Sequence, residues 1–242
     1  LSNPLPYKEQ LHLLRQQIPI GIRQGIQLLN QTNGDVDEAR LIFEANLVAV
    51  IIDKTAVTAD IARKYLITHN YDIPQTIASI NAERFTLSER ILQRSKNNKE
   101  DALTLIVQSI ETASSIQRKF WLPLEELTYL SPPVYCLLVL HDFLNYEDWE
   151  GFSSAVYFHP GIVTAQLETL PGLGFVANHL REAKRRSDEI YQQCKGWQAS
   201  EISNKVADDV EFGIHEAGFD AAKTMIIDRL YSLVVENIGV FP

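Results

Sequence analysis

The chain has 242 residues, 45% of them hydrophobic and 22% charged, and a net charge of -9, which suits a small domain joined to a larger one. Its longest apolar runs, Leu47 to Ile52 and Val134 to Leu140, fall far short of the roughly 18 residues that a membrane span requires, so a membrane helix is excluded. The acidic excess lies in residues 86 to 242, with 14 basic against 22 acidic side chains, and no Lys or Arg occurs between Lys119 and Arg181, a surface that repels nucleic acid.

From the N-terminus, Leu1 to Tyr7, with Pro4 and Pro6, reads as an extended arm. No basic segment leading into an apolar block and a small-residue cleavage site is present, which predicts a cytoplasmic protein. A first helix is expected from Lys8 to Gln17, with Leu11, Leu14 and Ile18 on one stripe, and Pro19 ends it. A second helix runs to about Asn30 with Ile22, Ile26 and Leu29 facing one way, and the Asn33-Gly34 turn leads to a third that starts near Val36 and buries Ala39, Ile42 and Phe43.

Shifted by 37 positions, the chain meets itself, with Leu29 to Val36 falling on Leu66 to Ile73 and keeping the Leu, the Asn, the Asp and a branched aliphatic in step. In each copy the Asp reads as a helix cap. Asp35 is followed by Glu38 and Asp72 by Gln75, the spacing at which cap and third helical residue satisfy each other's free N–H groups. The second copy, from about Ile51 to Arg84, places Val57-Thr58-Ala59 at the first turn and Pro74 in the first turn of its last helix.

Leu14-Arg15, Gly21-Ile22, Leu28-Leu29, Asn33-Gly34-Asp35-Val36 and Ala39 resemble the ubiquitin-associated-like three-helix module, in particular its bacterial relative at the N-terminus of translation elongation factor Ts. In that relative a Thr-Gly-x-Gly-Met turn follows the Leu-Arg pair. Ile18-Pro19-Ile20-Gly21-Ile22 stands in its place here, and the exchange-factor core with its Thr-Asp-Phe motif is missing. The resemblance implies contact with a partner through the turn after helix one and the last helix. That assigns Ile20, Gly21 and Ile22, together with Val57, Thr58 and Ala59, as contact residues.

Beyond Arg84 the pattern stays helical. Thr86-Leu87-Ser88-Glu89 is a capping box, Ser95 to Lys99 a loop, and Asp101 to Trp121 an amphipathic helix that Pro123 ends. Ser131-Pro132-Pro133 opens the next helix, whose stretch from Val134 to Leu144 is apolar nearly all round, as a central buried helix is. Further helices are expected over 148 to 158, 161 to 170, 173 to 194, 199 to 215 and 219 to 237, punctuated by Pro160, Pro171, Gly172, Gly196 and Gly218. No stretch alternates as a sheet strand does. Segments around Tyr135 to Phe143, Trp149-Glu150-Gly151-Phe152, Tyr157-Phe158, Leu167 to Gly174 and Leu180 to Ala183 resemble the helical domain of an acidic bacterial DNA-mimic family, with Trp149-Glu150 where that family has Asn-Gly.

Signs of chemistry are sparse. The six histidines form no His-x-x-x-His or His-Glu-x-x-His pattern, and the two cysteines, Cys136 and Cys194, have no ligand spacing, so neither metal nor cofactor is expected. Neighbours on a helix point about 100° apart, which keeps His141-Asp142 and His215-Glu216 from forming dyads. Pro171-Gly172-Leu173-Gly174 lacks the Lys-Ser or Lys-Thr of a phosphate loop. Arg181 and Lys184-Arg185-Arg186 lie among Glu182, Asp188 and Glu189 at ion-pairing intervals.

The sequence thus reads as an all-α protein of three parts: UBA-like modules over 8 to 48 and 49 to 95, and an acidic helical domain over 100 to 242. The expected function is non-enzymatic, the binding of a protein partner in a bacterial cytoplasm. Glu147, Asp148 and Glu150 form a negative patch suited to a basic partner. One alternative is an acidic DNA mimic that regulates a DNA-binding protein. Another is an enzyme whose helical pocket holds His141, Asp142 and Trp149.

Overall fold

Local sequence decides where most helices begin and end. In the computed structural model, which describes residues 6–242, thirteen α-helices and two short 3-10 turns account for the regular structure, and no strand occurs among the described residues. The fold is all-α. No described helix is long and apolar enough to cross a membrane. The chain divides after Phe85 into two compact units.

In the first unit, α1 (Lys8–Gln17), α2 (Ile22–Gln31), α3 (Val36–Thr55), α4 (Ala59–Thr68) and α5 (Ile73–Arg84) follow one another. Leu11, Leu14, Ile18, Ile20, Leu28, Leu29, Ala39 and Phe43 form one small core, and Val48, Ile51, Ala62, Leu66 and Ile80 form a second. Helix α3 supplies both. The expected module boundary at 48/49 therefore falls inside a continuous helix. Nothing between Val36 and Thr55 breaks it, and the Leu47 to Ile52 run places Val48 and Ile51 on the second core while Leu47 touches both. Ala56 adopts a left-handed conformation at its end, and Arg84 donates to the carbonyl of Thr55, one of the last acceptors that a helix leaves open.

The ends of α2 and α4 have the same construction. Asn33 and Asn70 take positive φ angles of 52° and 48°, which Asn tolerates better than most residues. The next N–H reaches back to a fully buried Leu, Gly34 to Leu29 at 2.7 Å and Tyr71 to Leu66 at 2.8 Å. Asp35 and Asp72 then cap α3 and α5, each accepting at 2.9 Å, from the N–H groups of Glu38 and Gln75. Tyr71 holds a φ of 65° without being glycine. Its hydroxyl donates to Glu44 at 2.8 Å and its ring packs on both cores, so tertiary contacts hold a conformation that costs of order 1–3 kcal/mol. Burial, followed by the bond to Glu44, pushes its pKa up to about 12. Asp35→Ala and Asp72→Ala should each lower stability by about 0.5–2 kcal/mol in chemical denaturation, while Gln75→Lys, at an exposed position, costs less. Equal effects from all three would mean that the carboxylates do not cap.

The second unit begins on the capping box, with Thr86 accepting from Glu89 N–H at 3.2 Å and Glu89 accepting from Thr86 N–H at 2.7 Å, at the start of α6 (Leu87–Arg94). It continues through α7 (Lys99–Ala113), α8 (Pro132–Glu150), α9 (Phe152–Ala155), α10 (Pro160–Thr169), α11 (Gly174–Gln193), α12 (Ala199–Ala207) and α13 (Val210–Glu236). The expected boundary near residues 95 to 100 moves to Thr86, because α6 packs on α7. Helix α8 buries Val134, Cys136, Leu137 to Leu140 and Phe143, and contacts α7, α9, α10 and α13. It is the centre of the large core.

Four expected helices are redrawn. The one over 101 to 121 stops at Ala113, and an irregular segment follows, which Asp142 holds by accepting from Leu122 N–H at 2.9 Å and from Arg118. The one over 148 to 158 does not start at Asp148. Helix α8 runs on to Glu150, Gly151 turns the chain at φ 80°, and α9 occupies only four residues. The break expected at Gly218 lies instead at Asp208-Asp209, since Asp209 caps α13 by accepting from Phe212 N–H at 3.0 Å.

Candidate functional site

The turn after α1 separates its expected contact residues. Ile20 points into the first core, whereas Gly21 and Ile22 face solvent, Ile22 with 53% of its surface exposed. Leu13, 49% exposed, stands beside it, and the two line a groove of about 690 Å³ with Lys8, Glu9, Leu11, His12 and Arg15. No ion pair engages Lys8 or Arg15 among the described residues, so the charged rim, these two against Glu9, is mostly cationic. At the second turn, Val57 is half-buried on the second core and Thr58 and Ala59 are exposed at the start of α4.

The acidic triplet is not one surface. Glu147 is only 6% exposed and meets Lys223 Nζ at 2.5 Å, within a cluster to which Asp148 and Asp220 also belong at 3.7 and 3.3 Å. Burial raises its pKa against the pull of Lys223. As a contact residue Glu147 is therefore corrected, because the lysine that its own stretch lacks arrives from α13. Asp148 and Glu150 remain exposed. Of the other acids in that stretch, Glu168 pairs with Arg181 at 2.7 Å, and Glu125 lies at hydrogen-bond distance, 2.7 Å, from His159 Nδ1.

His141, Asp142 and Trp149 do not converge. Trp149 is 80% exposed, and the wholly buried Asp142 turns to Arg118 and Leu122. His141 lies at a cleft of about 320 Å³, its Nε2 3.1 Å from Thr104 Oγ1 and its Nδ1 3.1 Å from Asn145 Nδ2. Burial, with Arg118 next, brings its pKa down to about 4, which leaves the imidazole neutral near neutral pH. The two cysteines are buried thiols, and burial pushes Cys136 up to about 11.

The basic cluster of α11 is paired throughout. Arg185 donates to Glu182, Glu189 and Glu211, Arg186 forks onto Asp209 at 3.0 and 2.6 Å, and Lys184 reaches Asp188 at 2.6 Å. The bond from Arg186 holds the Asp209 pKa down at about 2. Among the described residues no group of three or more His, Cys, Asp or Glu side chains is placed to hold a metal ion. One contact had no signal in the sequence: His179 and His215, 36 positions apart, bring their Nδ1 atoms to 3.1 Å.

No solved structure matches the chain. A curated relative, the uncharacterized protein YfbN of Escherichia coli (strain K12), is 29% identical over 238 residues, covering 98% of this chain and 97% of that protein. The family model of the YfbN C-terminal domain matches residues 86–239, beginning at the residue where the second unit begins. By that match, which spans more than half of its length, the chain belongs to the YfbN C-terminal domain family.

Proposed function

We propose that the chain is a non-enzymatic protein-interaction protein, and that its first unit holds an apolar, acid-flanked segment of a protein partner in the groove beside the turn after α1. The observation that carries this reading is the outward placement of Leu13 and Ile22 on that groove, at the turn that the UBA-like resemblance singles out. Lys8, His12 and Arg15 at the rim favour acidic side chains flanking the apolar anchor, which would speed encounter and fix orientation. In this reading the unit is a pair of UBA-like modules sharing α3, supported by the matched turns at Asn33 and Asn70 and the matched caps at Asp35 and Asp72. A cationic rim moves the expected partner from basic to acidic.

The test is quantitative capture from a bacterial lysate, followed by affinity measurement on the captured protein. Leu13→Glu and Ile22→Glu change positions that are about half exposed, where a substitution should cost the fold little. Each should weaken binding by about tenfold or more, the size expected when an apolar anchor is lost. Asp148→Asn with Glu150→Gln should leave affinity unchanged. Binding that survives both groove variants and falls with the acidic pair would place the interface on α8 instead.

A further inference from the structure

Helices α11 and α13 run side by side in opposite directions. His179 meets His215, Arg185 meets Glu211 and Arg186 meets Asp209, so rising numbers on one helix pair with falling numbers on the other. At the His179 level the helices approach closely. A Cβ at Gly218 would lie 2.6 Å from Cε1 and Nε2 of the His179 ring and 2.9 Å from its Nδ1. A side chain fits there only if the imidazole moves. Glycine inside a helix costs about 1 kcal/mol relative to alanine, and α13 carries one where the imidazole needs the space.

The two rings face each other through like atoms, Nδ1 to Nδ1 at 3.1 Å, with ring centroids 5.4 Å apart. Two nitrogen lone pairs repel at that distance unless a proton or a cation lies between them. Neither ring has another hydrogen-bond partner among the described residues, and both are partly exposed, so a small aqueous cation has access. A metal about 2.0–2.1 Å from both nitrogens, the usual length of a bond to imidazole, would subtend an angle of about 98° at their separation. That lies between the right angle of tetragonal copper(II) and the wider tetrahedral angle of zinc. The nearby carboxylates Glu182 and Glu211 are engaged by Arg185. Water would complete the coordination.

We propose that His179 and His215 form a two-nitrogen chelating site for a divalent transition-metal cation, with copper(II) bound in preference to zinc(II), and with positions left open to water or an exogenous ligand. Neutral imidazoles suit both metals, and copper(II) heads the affinity order for a given nitrogen site. The site belongs to the second unit and stands whether or not the groove of the first binds a partner.

The experiment titrates the full chain with copper(II) chloride, and separately with zinc chloride, near neutral pH in a buffer that does not chelate. Wild type should take up one copper(II) per chain, with a paramagnetic resonance spectrum of two nitrogen ligands, and should bind zinc(II) more weakly. On the wild-type protein, substoichiometric copper(II) should broaden the proton resonances of His179 and His215 before those of the other four histidines. His179→Gln and His215→Gln should each weaken copper binding by about tenfold or more, while His69→Gln leaves it unchanged. Copper that broadens other histidines first, or that both Gln variants retain, overturns the site. So does the absence of uptake by wild type.

Discussion

Replacement of Asp142 by alanine should lower the stability of the second unit by about 3–5 kcal/mol, the cost of breaking a buried ion pair from one side. Asp142 is fully buried on α8 and accepts from Leu122 N–H at 2.9 Å and from Arg118, whose other arm donates to Glu111 at 2.6 Å. Burial raises the Asp142 pKa, opposed by the Leu122 N–H and then by Arg118. Burial works against the Arg118 charge as well, and Glu111 and Asp142 outweigh it to raise that pKa. Alanine would leave the Leu122 amide without its acceptor and the guanidinium with one carboxylate. Between Ser114 and Pro123 the chain has no helix of its own, so its path depends on this triad. Arg118→Ala should cost about as much, whereas Asp142→Asn, which keeps an acceptor for Leu122, should cost less. All three tryptophans lie in the second unit, so urea unfolding followed by tryptophan fluorescence reports it selectively. An effect of Asp142→Ala below about 1 kcal/mol, the scale of an exposed ion pair, would mean that the triad does not hold the segment.

The same triad shows where reading the sequence stops. Features with a local cause were legible: α1 over Lys8–Gln17 before Pro19, the capping box at Thr86, the Asp35 and Asp72 caps and the start of α8 on its proline pair. Features caused by distant residues were not. Residues 114 to 121 keep a helical pattern in sequence, yet Asp142, more than twenty positions on, fixes them in another path. Gly218 looks like a breaker until the His179 ring is seen against it, and the true start of α13 depends on Asp209, which also engages Arg186. At the candidate site, the split between Ile20 and Ile22 carries no periodic signal, because it falls where a turn enters α2. Glu147 did leave a clue. With Leu140 and Phe143 it completes a stripe at helical spacing, and following that stripe to its end would have put its carboxylate on the buried face.

That stripe also locates the largest single apolar contribution of α8. Phe143→Ala should destabilise the second unit by about 3–5 kcal/mol, through lost transfer free energy and the cavity left behind. Its ring is buried among aromatic neighbours, edge-on to Phe219 of α13 with centroids 5.6 Å apart and tilted against Phe158 at 6.5 Å. Phe158 in turn packs against Tyr146 at 4.5 Å and Trp121 at 6.0 Å. Truncation therefore loosens α8 from α13 and from the turn before α10 together, and several large, rigid rings cannot collapse into the void at once. Phe143→Leu retains much of the volume and should cost less than the alanine change. Trp149 supplies the control: another aromatic on the same helix, six positions on and facing solvent, whose replacement by alanine should change stability by no more than about 0.5 kcal/mol. Urea midpoints for the three variants, with unchanged denaturant slopes, give the comparison directly. If Trp149→Ala matched Phe143→Ala, α8 would not present its Leu140, Phe143 and Glu147 stripe to the core, and both the buried Glu147–Lys223 pair and the exposure of Asp148 and Glu150 would fall with it.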